Sequence, residues 1–350
     1  MADMSYKEQT DQKNIEKIRE HLKTLPKFCY EYFRSLEIRK STNTRKHYAY
    51  DLGVFFYFLT RENPYFADKD IRELPIDVME KITPMDIEEY LSFLESYDKD
   101  GHHYTNHEEG KARKLSSLTS FYDYYCKKGL LKSNPCRMVD VPKIKQKNII
   151  RLEPDEVVRF LDEAETGDQL SGRQLVMHER TRVRDMAILT LLLGTGIRVS
   201  ECVGLDLSDV DFNMDAVRVI RKGGNEALVY FGDEVEEALK AYMEGPRKTA
   251  NPREGHEKAL FLSLNRTRIT PRSVERLVKK YASLVTTVKK ITPHKLRSTY
   301  GTELYNETGD IYLVADALGH KDVNTTRKHY AAIDENRRKL AADVVKLRKD

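Results

Sequence analysis

The chain has 350 residues, of which 33% are charged and 40% hydrophobic, with a formal net charge of +4. That length exceeds one ordinary core and favours two domains; no apolar run approaches the roughly 20 residues of a membrane span. The four cysteines, Cys29, Cys126, Cys136 and Cys202, are scattered, without a CxxC pair or a disulfide-like spacing. The composition therefore predicts a soluble, helix-rich protein of a reducing cytoplasm, and "MADMSYKEQTDQKN" lacks the apolar core of a secretory signal. The small net charge says little about partners, but Lys and Arg outnumber Asp and Glu from Arg268 onward.

In chain order, residues 1–20 read as a polar tail, frayed or partly helical. From about residue 25 to 135 the pattern is helical. "TNTRKHYAYDLGVFFYFL" places Tyr48, Leu52, Phe55, Phe56 and Leu59 on one stripe. Thr83 caps a helix that opens with Pro84. "GKARKLSSLTSFYDYYCKKGL" carries Leu115, Leu118, Phe121, Tyr122 and Tyr125, and Gly129 stops it. Between these helices, residues 98–110 (DKDGHHYTNHEEG) read as a long polar loop. Its His102, His103, His107 and Glu108 have no spacing that fixes a metal geometry, so no chemistry is assigned to them.

The segment 134–154, with Pro135, Pro142, Pro154 and a Lys-rich middle, has the composition of an extended basic linker. A helix follows in "EPDEVVRFLDEAE", then an unpatterned polar insertion over 165–182. "RDMAILTLLLGTG" reads as a buried helix over 185–193, closed by Gly194 and Gly196. "AVRVIRKGGNEALVYF" gives two β-type runs around Lys-Gly-Gly-Asn, a hairpin signal. Three more helices follow, opened by Thr-Pro pairs or stopped by Gly309 and Gly319.

Four places hold polar residues that this framework does not require. Arg198 directly follows two glycines and a buried helix, with Glu201 as its nearest local acid. Lys222 sits at the hairpin tip. His294 and Arg297, three apart in the first turn of a helix, share one face beside its positive end, a setting suited to an anion. His320 follows a helix stop, and Tyr330 lies beyond it among Arg327, Lys328 and His329. Each residue alone has an ordinary structural explanation: an ion pair, a solvated tip, a hydrogen-bonded core histidine.

Taken in order, the words "GTGIRVSE", "TPHKLRST", "ALGH" and "TTRKHYA" resemble the tyrosine recombinases, the Xer proteins and lambda-type integrases among them. The likeness spans the chain. The hairpin "VIRKGGN", the insertion and the length look most like single-protein Xer recombinases of Gram-positive bacteria. The resemblance implies a mainly α fold: an N-terminal all-helical SAM-like core-binding domain (21–138), a linker (139–152) and a mixed α/β catalytic domain (153–333). That catalytic domain is mostly helical with a small antiparallel sheet. Residues 334–350, with Leu340, Val344 and Leu347 on one stripe, would form a C-terminal helix exchanged between subunits of a homotetramer.

The implied chemistry needs no metal, ATP or organic cofactor. A covalent phosphotyrosine conserves bond energy. The phenol of Tyr330, with an ordinary pKa near 10, gives its proton to His294. Arg198 and Arg297 clamp the charge developing on phosphate. His320 adds a hydrogen bond, and Lys222 protonates the departing 5′-hydroxyl. Two features depart from the usual pattern: the interval from His320 to Tyr330 is one residue longer than in the commonest Xer form, and Ser298 stands where many members have a second histidine.

The resemblance also implies a double-stranded DNA target. Thr44, Arg45, Tyr48, Arg113, Lys114 and Ser117 are the candidate contacts to phosphates and grooves. A DNA translocase or another accessory factor is a candidate further partner. Chromosome dimer resolution is the favoured role, with an integrase of a mobile element as the alternative. A type IB topoisomerase and a DNA-binding protein without activity are more distant readings.

Overall fold

The computed structural model describes residues 4–67, 69–143, 149–221, 223–320, 322–324 and 326. Lys222, Tyr330 and the expected C-terminal helix lie outside the described residues. The chain divides into two compact units at residues 147 and 148. It is mostly helical with small antiparallel sheets, as the sequence led us to expect. Among the described residues no helix is long and apolar enough to cross a membrane.

The first unit contains α1 (Tyr6–Leu22), α2 (Cys29–Leu36), α3 (Thr42–Glu62), α4 (Pro84–Phe93), β1 (Ser96–Lys99), β2 (His102–Thr105) and α5 (Glu108–Lys127). Side-chain caps start several helices: Ser5 with Glu8, Ser41, and Thr83 with Asp86 before Pro84. The core is aromatic. Phe121 of α5 touches Phe28, Tyr32, Phe56, Tyr122 and Tyr125, with ring centroids 5.1–6.5 Å apart.

Three stretches of this unit differ from the sequence reading. Residues 1–20, read as a polar tail either frayed or partly helical, turn out to be helical over most of their length: Tyr6–Leu22 is a capped helix packed on α3. Only Asn14, Ile18 and Leu22 turn inward, too few to stand out as an apolar stripe, and Asn14 bonds Lys46 Nζ at 2.8 Å. Residues 98–110 are not a loop: β1 and β2 form a hairpin in which Lys99 pairs with His102. The turn is Asp100-Gly101, both at positive φ, the Asp-Gly signal of a tight hairpin. Tyr97 is the buried residue of β1, and its ring stacks on Tyr104 at 5.2 Å. The start of the expected linker is also folded: Asn134 caps a short turn (Pro135–Met138) that buries Pro135 and Cys136.

The second unit contains α6 (Pro154–Glu165), α7 (Gly172–Thr195), α8 (Val199–Gly204), β3 (Val210–Asp211), β4 (Ala216–Ile220), β5 (Glu226–Tyr230), α9 (Asp233–Tyr242), α10 (Pro271–Val285), α11 (Pro293–Thr308) and α12 (Ile311–Ala317). The three strands form an antiparallel sheet in the order β3-β4-β5. The buried helix read over 185–193 is longer, because most of the supposed insertion is its first three turns. Those turns are held by polar groups instead of an apolar stripe. His178 and Thr181 face inward, and Asp185, 2% exposed, accepts from Thr181 Oγ1 (2.8 Å), Arg184 (2.6 Å) and Tyr281 Oη (3.3 Å). A buried carboxylate is tolerated where cations and hydroxyls satisfy it. His178 Nδ1 lies 2.9 Å from Tyr281 Oη, and its ring fills the space beside Gly167.

Candidate active site

The second unit builds its polar centre where four helix ends meet, those of α7 and α12 and the starts of α8 and α11. Helix α7 stops at Gly196, whose φ of +61° is a left-handed cap conformation. Two residues on, Arg198 is the N-cap of α8, and Glu201 engages it twice. The backbone N–H of Arg198 donates to Glu201 Oε2 at 2.8 Å, and its guanidinium donates to Oε1 at 2.7 Å. The carboxylate is 3% exposed and the Arg198 side chain 32%, so a buried acid holds a partly accessible guanidinium. The local ion pair foreseen from the sequence is therefore present. It also orients the arginine, whose second terminal nitrogen reaches Gly319 O at 3.4 Å.

Arg297 lies on the first turns of α11 and is 5% exposed. Its guanidinium donates to Gly196 O at 2.5 Å and to Leu318 O. These bonds tie the end of α7 to the end of α12 through one side chain. Two arginines more than 90 residues apart in sequence thus converge on the short segment 318–319. His294, on the same helix start, is exposed.

His320 follows directly. Its backbone N–H bonds Ala315 O at 2.8 Å, and Nδ1 lies 2.7 Å from Thr326 Oγ1, a residue with no exposed surface. Which of the two atoms donates depends on the imidazole tautomer. Arg198, Arg297 and His320 are therefore gathered, His294 stands at the adjoining helix start, and Lys222 and Tyr330 lie outside the described residues. The sequence reading missed Thr326 and the orienting part played by Glu201. A Thr six residues beyond a His carries no signal of its own.

Gly196 is needed for more than its backbone. A Cβ there would lie 2.4 Å from Tyr300 Cδ1 and 3.0 Å from Leu318 Cδ2. Gly196→Ala is expected to cost about 2–4 kcal/mol, combining left-handed strain with overpacking. A urea titration should show the lower midpoint; an unchanged midpoint would mean that Tyr300 yields easily. Burial pushes the Tyr300 phenol above its ordinary range, with Arg297 pulling the other way. Tyr300 thus stays protonated at neutral pH and is a poor nucleophile.

In the first unit, the six candidate DNA contacts separate. Ser117 is fully buried and donates to Asp51 Oδ2 at 2.7 Å. Lys114 is 4% exposed, its ammonium 2.7 Å from Asn106 Oδ1, and burial holds its pKa below the ordinary lysine range. Both side chains point inward in this structure: Ser117 satisfies Asp51 of α3, and Lys114 bonds Asn106 in the link between β2 and α5. Arg113 is exposed and bonded to Asp51. Arg45 is half-buried with Glu37 at 3.3 Å, and Thr44 belongs to the Ser41 cap. Tyr48 packs on the core and lines an open cleft of about 790 Å³ with Arg39, Lys40 and Lys127. Exposed His47 was not foreseen; partial burial and the charges of Arg113 and Lys46 keep its pKa low.

Two cations and a histidine held around one helix end, beside a second helix N-terminus, define an anion-handling centre of the kind used in phosphoryl transfer. Residues 150–337 match the phage integrase family, and the chain belongs to that family, the tyrosine recombinases. It is a Xer-like tyrosine-type site-specific DNA recombinase. It is 33% identical over 323 residues to the tyrosine recombinase XerC of Caldanaerobacter subterraneus subsp. tengcongensis, covering 89% of this chain and 84% of that one. It is 32% identical over 349 residues to XerS of Lactococcus lactis subsp. cremoris, covering 93% and 96%. A crystal structure of the XerH recombinase bound to difH substrate has the same fold, with a TM-score of 0.60 at 21% identity over 87% of this chain and 78% of that one.

Proposed function

We propose that this recombinase cuts DNA by attack of Tyr330 Oη on a phosphodiester, forming a 3′-phosphotyrosyl bond and releasing a 5′-hydroxyl. His294 accepts the phenolic proton, and Lys222 supplies one to the departing 5′-oxygen. The phosphorus passes through a five-coordinate state with added negative charge on its non-bridging oxygens. Arg198 and Arg297 meet that charge with guanidinium groups already held in place, so little reorganisation accompanies the reaction. A guanidinium has five N–H donors, enough to hold a carbonyl and a phosphate oxygen together. His320 donates from Nε2 when Thr326 donates its hydroxyl to Nδ1, which fixes the required tautomer. The observation that carries this reading is the convergence of Arg198 and Arg297 on residues 318–319, immediately before His320.

The duplex is gripped by the first unit through exposed His47 and Arg113 and the partly exposed Thr44, Arg45 and Tyr48. Four copies assemble on two sites through the stripe Leu340, Val344 and Leu347, and resolve chromosome dimers in the cytoplasm. The domain limits 21–138, 139–152 and 153–333 describe the working parts. A duplex nicked just downstream of the scissile phosphate, so that the short piece bearing the new 5′-hydroxyl is lost on cleavage, tests the chemistry. Incubation with wild-type protein should give a protease-sensitive band of reduced mobility on a denaturing gel. No such band on a duplex the protein binds would overturn the covalent mechanism.

A further inference from the structure

We propose that Arg221 is a positioning residue that anchors the β4–β5 hairpin, and with it Lys222, to the end of α12; the inference rests on Lys222 being the proton donor proposed above. The final carbonyls around the α12 C-terminus each accept from a different arginine. Arg221 donates to Ala317 O at 3.2 Å, Arg297 to Leu318 O, and Arg198 to Gly319 O at 3.4 Å. Such carbonyls lack intrahelical partners and form the negative end of the helix, where cations are favoured. The three arginines come from three places: the turn after β4, the start of α11 and the start of α8.

Arg221 reaches its carbonyl across a glycine. A Cβ on Gly319 would lie 1.6 Å from its NH1 and 2.4 Å from its Cζ, and Gly319 has a φ of +59°. The guanidinium therefore lies on the backbone immediately before His320. At its other end Arg221 closes the hairpin: its N–H donates to Asn225 O at 2.8 Å, and its carbonyl accepts from Gly224 at 3.0 Å. Residues 223–226 are exposed. Among the described residues of this turn, Arg221 is the one whose side chain bonds to the body of the unit.

Loss of Arg221 should fall on the hairpin and spare His320. The end of α12 keeps Arg297 and Arg198, and also the bonds from Gly319 N–H to Asp316 O (2.7 Å) and from His320 N–H to Ala315 O (2.8 Å). The hairpin tip keeps its own turn but not its tether. A proton donor displaced by about 1 Å can lose up to about 100-fold in rate.

The test uses full-length protein and two nicked duplexes, one ordinary and one with sulfur as the bridging 5′ atom at the scissile phosphate. On the second, the Tyr330 Oη–P bond forms and the P–S bond breaks, and the sulfur leaves with its electron pair as a thiolate. A thiol has a pKa of about 8.5, against about 15.7 for water as a guide to a hydroxyl, so the thiolate needs no added proton. Arg221→Ala should cleave ordinary DNA about 10–100-fold more slowly than wild type, and the sulfur duplex within about 3-fold of it. Lys222→Ala should show the same pattern with a larger defect. Arg221→Lys, which keeps a cation able to reach Ala317 O, should recover part of the ordinary rate. An Arg221→Ala defect equal on both duplexes, with Lys222→Ala rescued by sulfur, overturns the positioning role and leaves a general structural one. An unchanged ordinary rate overturns it too. A Lys222→Ala defect that sulfur does not relieve overturns the reading of Lys222 itself, and the assignment of Arg221 with it.

Discussion

Tyr330→Phe protein is expected to bind its duplex as wild type does and to form no covalent adduct, a loss of at least about 10⁴-fold in cleavage. The substitution removes one oxygen and keeps the ring. No neighbouring phenol should replace it. Tyr300, whose titration Arg297 influences, is packed over Gly196 and kept protonated by burial. Two readouts separate chemistry from binding: adduct on a nicked duplex under denaturing conditions, and affinity measured at several salt concentrations. Adduct formation by the Phe variant would remove Tyr330 from its proposed role.

Arg297→Ala should fail in two ways at once. Its guanidinium holds Gly196 O and Leu318 O in a site 5% exposed, so truncation strips donors from both carbonyls and opens a space. We expect about 2–4 kcal/mol of lost stability and about 10³-fold or more in lost cleavage. Arg297→Lys separates the two. A single ammonium keeps the positive charge but not the planar fork that spans two carbonyls, so much of the stability should return while cleavage stays low. Urea unfolding gives the first quantity; single-turnover cleavage well below the melting transition gives the second. If lysine restores cleavage fully, charge alone is what the site needs there, and the fixed fork is irrelevant.

The sequence by itself determined the helical frame and the chemical types available to the site. The aromatic stripe of α5 and the Thr-Pro helix starts are local signals, because apolar periodicity and caps act within a few residues. The same holds for the stops at Gly196 and Gly319, which leave Arg198 and His320 just beyond a helix end. The Asp100-Gly101 turn is equally local, but its flanking strands are polar with only Tyr97 buried, so no apolar alternation marks them as strands.

Other features existed only once the chain had folded. Seen along α5, Arg113, Lys114 and Ser117 look like one polar face, but the approach of Asp51 and Asn106 turns Lys114 and Ser117 inward. The first turns of α7 carry no apolar stripe because polar groups hold them: Tyr281, about 100 residues away, meets both His178 and Asp185, and Asp185 also accepts from Thr181 and Arg184 on α7 itself. The largest such feature is the meeting of Arg198, Arg221 and Arg297 at three successive carbonyls. No spacing rule links residues 198, 221, 297 and 319. Long-range packing sets how far each guanidinium stands from a helix end, whereas the residue type sets only what it can do on arrival.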